Sequence, residues 1–243
     1  MFRFFIPLFL STLTLLSANT NFSPYSTTVS EIKNNYIYID ENKDFSVGSS
    51  GIILRDFDGT HKTIIAVVEV VEKKGASAIL KYKKFSALNQ DALPQYSITP
   101  KKGDEVILNY LYNRALIIAP NEESFNYIKK THNKFSWIHP DIFASTLARD
   151  YSPAPKKDDF KKECTEDSFA LLFFIVEDSG YFVDCNSFKI LHKVELPKDL
   201  KNTKQMTPFY HRLKEIKGRV FGLMGGKGIQ NYNNYYKKLL GIK

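Results

Sequence analysis

Hydrophobic and polar residues alternate with a period of two from Tyr25 to Leu108. The alternating runs are separated by Gly-containing turns, and Lys73-Lys74-Gly75 between two of them is typical of a hairpin. Several short strands at this spacing predict a small β-barrel-like domain over residues 24–110. The expected strands are Tyr36 to Ile39, SGIILRDF, HKTIIAVVEVVEK, ASAILKYKKF and KKGDEVIL, with FSALNQDALPQYS as an excursion between two of them.

After Arg114, strand-like and helical segments alternate. ALIIAP is continuously apolar, Asn121 is placed to cap a helix, FSWI is a second short strand, and Pro140 suits the first turn of another helix. This order predicts a mixed α/β domain over residues 112–243 and an α+β class for the whole chain. In the stretch KKGDEVILNYLYNRALIIAPNEES, we therefore expect KKGDEVIL to end the β domain, NYLYNR to cross over, and ALIIAP to begin the second domain.

The later sequence predicts a hairpin and three more helices. Two apolar runs flank Ser179-Gly180, a dipeptide typical of a hairpin turn. A turn at this place would set Cys185 opposite Phe174. The helices are expected around Phe160 and Cys164, from Thr207-Pro208 with Phe209, Leu213 and Ile216, and from about Asn231 to Leu240.

The N-terminus has the layout of a secretory signal peptide over residues 1–18. Arg3 precedes an apolar run from Phe4 to Leu16, and the small residues Ser17 and Ala18 follow. The run is too short to favour a membrane span, and the later FALLFFIV is shorter still. We expect export to the periplasm or cell surface and no transmembrane segment after the signal peptide.

The two cysteines, Cys164 and Cys185, are expected to form a structural disulfide in an oxidising compartment. It would tie the helix before the hairpin to the hairpin itself. The alternative is two unpaired thiols, because a bridge requires close approach of the two residues.

The net charge of +8 comes from lysine pairs scattered along the chain. A nucleic-acid-binding surface more often concentrates its lysines with interleaved aromatics, so a nucleic-acid partner is not expected. The histidines lack metal-ligand spacing, and GLMGGKG departs from the phosphate-loop pattern at Phe221 and Gly228. We expect no cofactor, no metal and no enzymatic activity.

The sequence ends KKLLGIK, so Lys243 would carry an ε-ammonium and an α-carboxylate on one residue. Kringle domains bind such a bipolar group with an acidic pair, a cation and an aromatic surface. Lys243 is therefore a candidate for kringle binding.

Four segments resemble the N-terminal domain of the plasminogen-binding protein A family, exported proteins of helical and curved Gram-negative bacteria. The segments are TPKKGDEVILNYLYNRALIIAPN, WIHPDIFA, DSGYFVDCNSFKIL and NYYKKLL, and the resemblance runs from about Thr27 to Leu240. It implies binding of host plasminogen by lysines offered to kringles, and it leaves Lys243, with Lys237 and Lys238, as the candidate kringle-binding residues. A second interpretation stays open: a structural or assembly role in the periplasm, with envelope proteins or the flagellar apparatus as partners.

Overall fold

The computed structural model describes residues 22–85, 98–197, 200, 204–218 and 228–242. Within these ranges the chain forms twelve strands and four helices. The strands are β1 (Tyr25–Thr28), β2 (Glu31–Lys33), β3 (Tyr36–Asp40), β4 (Ser50–Asp56), β5 (Lys62–Lys74), β6 (Ser77–Lys84), β7 (Glu105–Leu108), β8 (Arg114–Ile118), β9 (Ser136–Ile138), β10 (Leu171–Val176), β11 (Ser179–Asp184) and β12 (Ile190–Glu195). The helices are α1 (Glu122–Thr131), α2 (Pro140–Arg149), α3 (Lys157–Glu166) and α4 (Tyr232–Leu240).

The first seven strands form one antiparallel sheet in the order β1-β7-β4-β5-β6-β3-β2. Its two edge strands, β1 and β2, are separated in sequence by only Val29 and Ser30. Two residues span roughly 10 Å at most, so the sheet has to curl until its edges approach each other. The curled sheet encloses an apolar core that includes Ile37, Ile53 and Val68. The predicted β-barrel-like architecture, and with it the α+β class, is confirmed.

The remaining five strands form a mixed sheet in the order β12-β11-β10-β8-β9. β8 is parallel to both β9 and β10, whereas β11 and β12 continue the sheet antiparallel. Alternate residues of β8 face opposite sides of this sheet. Ala115 and Ile117 pack in the cluster that includes α1, while Leu116 and Ile118 pack in the cluster that includes α2, α3 and α4. Burial on both faces explains why ALIIAP is apolar without alternation.

The expected helix starts near the seam are confirmed. The Asn121 side chain accepts a 2.9 Å hydrogen bond from the Ser124 backbone N–H at the start of α1. His139 Nδ1 accepts from the Asp141 backbone N–H at 3.2 Å, and Pro140 is the first residue of α2. As expected, β7 belongs to the first sheet and ALIIAP begins the second.

The hairpin is present, but the predicted position of its turn is wrong. Val176 pairs with Ser179, so the two-residue loop is Glu177-Asp178, and Glu177 has φ +56°. Phe174 therefore lies opposite Tyr181 and not opposite Cys185 as predicted. The Cys185 backbone N–H bonds to the Ala170 carbonyl.

Gly180 lies inside strand β11 for a packing reason. A Cβ at this position would lie 2.2 Å from Cζ of Phe173 and 2.9 Å from Cγ2 of Val194. The glycine lets an aromatic ring approach the strand closely. In the sequence, a Ser-Gly pair between two apolar runs looks the same whether the glycine makes a turn or makes room for a ring, which is why the turn was predicted here.

The predicted helix from Thr207-Pro208 is also wrong, because residues 204–218 follow an irregular path. The Met206 and Tyr210 N–H groups donate to the carbonyls of Pro120 and Ala119, just beyond β8, at 2.6 and 2.8 Å. Phe209 is fully buried, whereas Leu213 remains 40% exposed. These two hydrogen bonds hold the segment along the chain that follows β8.

Some expectations lie outside the described residues: the signal peptide over residues 1–18, most of FSALNQDALPQYS, most of GLMGGKG, and Lys243. The division into domains over residues 24–110 and 112–243 stays a prediction.

Candidate functional site

The C-terminal helix α4 carries two of the three candidate lysines. It begins at Asn231, whose side chain accepts a 2.9 Å hydrogen bond from the Asn234 N–H. It ends at Gly241, which has φ +71° and so takes the left-handed conformation that glycine favours. The Gly241 and Ile242 N–H groups bond back to the carbonyls of Lys238 and Lys237. Both lysines therefore lie in the last turn, where the helix dipole favours cations.

Tyrosine side chains hold α4 on the second sheet. Tyr232 and Tyr236 are fully buried, and their hydroxyls donate hydrogen bonds of 2.8 and 2.9 Å to the carbonyls of Ile118 and Pro208. The burial raises the pKa of both phenols well above the usual value. Because these hydroxyls stay protonated and bonded, the helix has a fixed rotation that decides which residues face solvent.

The structure distinguishes the candidate lysines. Lys237 Nζ lies 2.6 Å from Oε1 of Glu177, in the β10–β11 turn, and the Lys237 side chain is 30% exposed. Lys238 is exposed on the next position of the helix. Lys243 lies beyond the described residues. Lys237 would have to leave Glu177 before binding another carboxylate, whereas Lys238 already faces solvent.

Cys164 and Cys185 are joined by a disulfide, with their Cα atoms 6.2 Å apart. The bond connects α3 to the end of β11, so the expectation that it ties the helix to the hairpin is confirmed. Both cysteines lie in the core beneath α4. The bridge belongs to the scaffold that supports this helix.

A buried hydrogen-bond network joins the two sheets. Asp184, at the end of β11, accepts from the Ser50 hydroxyl at 2.5 Å and from the Tyr112 hydroxyl at 2.6 Å, both at Oδ2. Its Oδ1 accepts from the Ser187 N–H at 2.6 Å. Burial raises the pKa of Asp184, although these hydrogen bonds act in the opposite direction. A buried carboxylate with several donors at a junction is typical of a structural connection.

The described residues contain no group of three or more His, Cys, Asp or Glu side chains that could hold a metal ion. Among the same residues, no helix is long and apolar enough to cross a membrane. His139 serves as a helix cap at the start of α2.

Sequence reasoning missed two residues of this region. Glu177 escaped notice as a partner of Lys237 because the hairpin turn was expected two residues later. Asp184 had no local signal, because an aspartate beside Cys185 is equally typical of an exposed turn. Ser50, which bonds to Asp184 in the structure, is 134 positions away in the sequence. Only the tertiary structure brings the two residues together.

The fold and the site define a class: an α+β protein in which a barrel-like sheet is joined to a helix-covered mixed sheet, with lysines at the end of a C-terminal helix. The chain belongs to the family described as plasminogen-binding protein pgbA, N-terminal, whose model matches residues 24–240. The resemblance expected from the sequence is confirmed.

Two curated relatives are both named plasminogen-binding protein PgbA and come from Helicobacter pylori strains J99 and 26695. They are 29% and 28% identical to this chain over 198 residues. Each alignment covers 81% of this chain and 43% of the relative, so the match spans less than half of each relative's length. The names describe a binding activity rather than a reaction.

Proposed function

We propose that this chain is an exported, non-enzymatic protein that binds host plasminogen by presenting lysines to kringle domains. The observation that carries the proposal is the family membership, because both relatives are named for plasminogen binding. The match reaches residue 240 and therefore includes the whole of α4. This helix supplies a rigid base for cationic side chains in solution.

Lys238 and Lys243 are the preferred ligands within this proposal. Lys238 is exposed and lies on a helix that buried tyrosines hold in place. Lys243 follows closely after the capped end of α4. Lys237 is a weaker candidate, because binding would break its 2.6 Å contact with Glu177. A charge-assisted contact of a kringle with any of them should be displaced by a soluble lysine analogue.

Export to the cell surface or periplasm is part of the proposal. The disulfide between Cys164 and Cys185 supports it, because such bonds persist in oxidising compartments. The expected signal peptide over residues 1–18 supplies the route.

Surface plasmon resonance with purified full-length protein and plasminogen tests the proposal. We expect saturable binding that 6-aminohexanoate abolishes and that Lys238→Gln together with deletion of Lys243 weakens at least about tenfold. Lys130→Gln is the matched control, because Lys130 is also exposed in the last turn of a helix, α1. Binding unaffected by the analogue, or unchanged in the double variant, would contradict lysine presentation.

Protease treatment of intact cells tests the location in parallel. Degradation of the protein together with plasminogen binding to cells supports a surface role. Protection in intact cells, combined with no binding by the purified protein, would replace the proposal with a structural or assembly role in the envelope.

A further inference from the structure

Strand β12 (Ile190–Glu195) forms one end of the second sheet, and its outer edge has no partner strand among the described residues. The described part of the chain has three other edge strands. β1 and β2 are the two ends of the curled sheet and approach each other, and β9 is only 3 residues long. Of the edges that the structure describes, β12 therefore presents the longest one that is open to another chain.

The backbone groups of Lys193 and Glu195 point towards this open edge. The Leu196 N–H donates to the Asp178 carbonyl at 2.8 Å, so Leu196 bonds towards β11. In an antiparallel pair, alternate residues bond to the neighbouring strand, and the residues between them direct their N–H and C=O groups away from it. Val194 therefore bonds towards β11, whereas Lys193 and Glu195 can bond to a further strand. Such an edge is a template for another chain.

The side chains of Lys193 and Glu195 place opposite charges on the same side of the strand. Lys193 Nζ lies 2.8 Å from Oε1 of Glu195, and the two side chains are 51% and 73% exposed. An ion pair as exposed as this one contributes little to stability, so an exchange of partners costs little. Both charged groups can therefore turn towards a strand that lies alongside.

The two charges make the edge complementary to itself. When a second copy of β12 pairs antiparallel about a two-fold axis, with Val194 opposite Val194, each Lys193 lies opposite the Glu195 of the other copy. The Cβ atoms of directly opposite residues are about 4.5–5.5 Å apart, and opposite charges at this distance are favourable. A register with Lys193 opposite Lys193, or Glu195 opposite Glu195, places like charges together and is unfavourable. The favourable register also lets Lys193 and Glu195 exchange the backbone hydrogen bonds that are available at the edge.

We propose that the outer edge of β12 is a homodimer interface, at which two copies of this chain join their mixed sheets into one continuous sheet. Val194 lies at the two-fold axis, and each Lys193 pairs with Glu195 of the other copy. Pro197 ends the ladder, because proline has no N–H to donate. The proposal does not depend on plasminogen binding, because it concerns the association of the chain with itself.

Analytical ultracentrifugation of the purified full chain at up to about 100 μM tests the proposal. We expect a dimer whose fraction rises with concentration. Lys193→Glu and Glu195→Lys should each weaken self-association at least about tenfold, because each places like charges opposite one another. An equimolar mixture of the two variants should dimerise again, because each glutamate then lies opposite a lysine. Loss of the ion pair within one chain could not produce this recovery, since neither variant regains it in the mixture.

Lys33→Glu is the matched control. Lys33 forms a similar exposed ion pair, 2.7 Å from Glu31, on the edge strand β2 of the other sheet, so its reversal should leave the dimer unchanged. The interface variants should fold, because the side chains of Lys193 and Glu195 are exposed, and circular dichroism checks this. The proposal is overturned if the wild type stays monomeric at about 100 μM, if Lys193→Glu associates as tightly as the wild type, or if the mixture of variants stays monomeric.

Discussion

The Tyr112 hydroxyl donates a 2.6 Å hydrogen bond to Oδ2 of Asp184. Tyr112 belongs to the short crossing segment between the two sheets, and Asp184 ends the second strand of the hairpin. The same hydroxyl accepts a 2.9 Å bond from the Ser50 N–H of the first sheet. One buried phenol thus connects both sheets, and Phe22 packs edge-on against its ring at 5.6 Å.

Tyr112→Phe should lower the free energy of unfolding by about 2 kcal/mol, because it removes a buried hydrogen bond to a carboxylate while keeping the ring. Urea denaturation measures the change. Tyr151→Phe is the control, since Tyr151 is 53% exposed. Equal stability of wild type and Tyr112→Phe would show that the junction contributes nothing to folding.

Gly180→Ala should destabilise the protein by about 1–3 kcal/mol, the usual cost of an extra methyl group in a filled core. The new Cβ would meet the Phe173 ring and Val194. Gly228→Ala provides the comparison, because the nearest atom to its Cβ is 3.9 Å away. Thermal unfolding followed by circular dichroism reports both. A melting temperature for Gly180→Ala equal to that of the control would contradict the packing argument.

The buried Glu163 should make stability depend on pH. Burial, and secondly the neighbouring Asp167 carboxyl, raise the pKa of Glu163 from 4.5 to about 7. At a pH between these two pKa values, Glu163 keeps its proton in the folded state and releases it in the unfolded state. The stabilisation is therefore complete below the lower pKa and is lost as the pH rises through the upper one.

Urea titrations at about pH 5 and about pH 8 measure this effect. We expect the wild type to lose up to about 3 kcal/mol of stability over the interval, and Glu163→Gln to lose much less. Glu123→Gln, at an exposed position of α1, should behave as the wild type. The same pH dependence in Glu163→Gln as in the wild type would assign it to another group.

The double variant Cys164→Ala/Cys185→Ala should be about 3 kcal/mol less stable than the oxidised wild type. The disulfide closes a loop between residues 21 positions apart, and the loss of loop-closure entropy in the unfolded chain gives this magnitude. Denaturation with and without reductant supplies the control, because reductant should destabilise the wild type and leave the variant unchanged. A variant as stable as the wild type would contradict a stabilising role.

Local sequence was enough for much of the candidate site. The sequence predicts a cap at Asn121 and a helix start near Asn231, and in the structure both side chains accept a hydrogen bond from an N–H group of the first turn. The α4 helix and the disulfide were likewise predictable. These features depend on neighbours in sequence, or on a residue type whose chemistry has few alternatives in an oxidising compartment.

The segment after Thr207 shows where such reasoning fails. Phe209 and Ile216 are buried as a helical face would require, yet Tyr210 and Met206 bond to the chain beyond β8. Hydrophobic spacing reports which side chains become buried. It does not report the backbone path between those side chains or the distant carbonyls to which the segment bonds.

The sequence by itself determined the two kinds of sheet, the starts of α1, α2 and α4, and the disulfide, because alternation, capping and thiol chemistry act over short distances. Only the tertiary structure decided the hairpin register, the pairing of Glu177 with Lys237, and the burial of Asp184 between Ser50 and Tyr112. The physical reason is that close packing and desolvation depend on partners far apart in sequence. A glycine at position 180 is compatible both with a turn and with a close ring contact, and the position of Phe173 in the fold decides that it makes the ring contact.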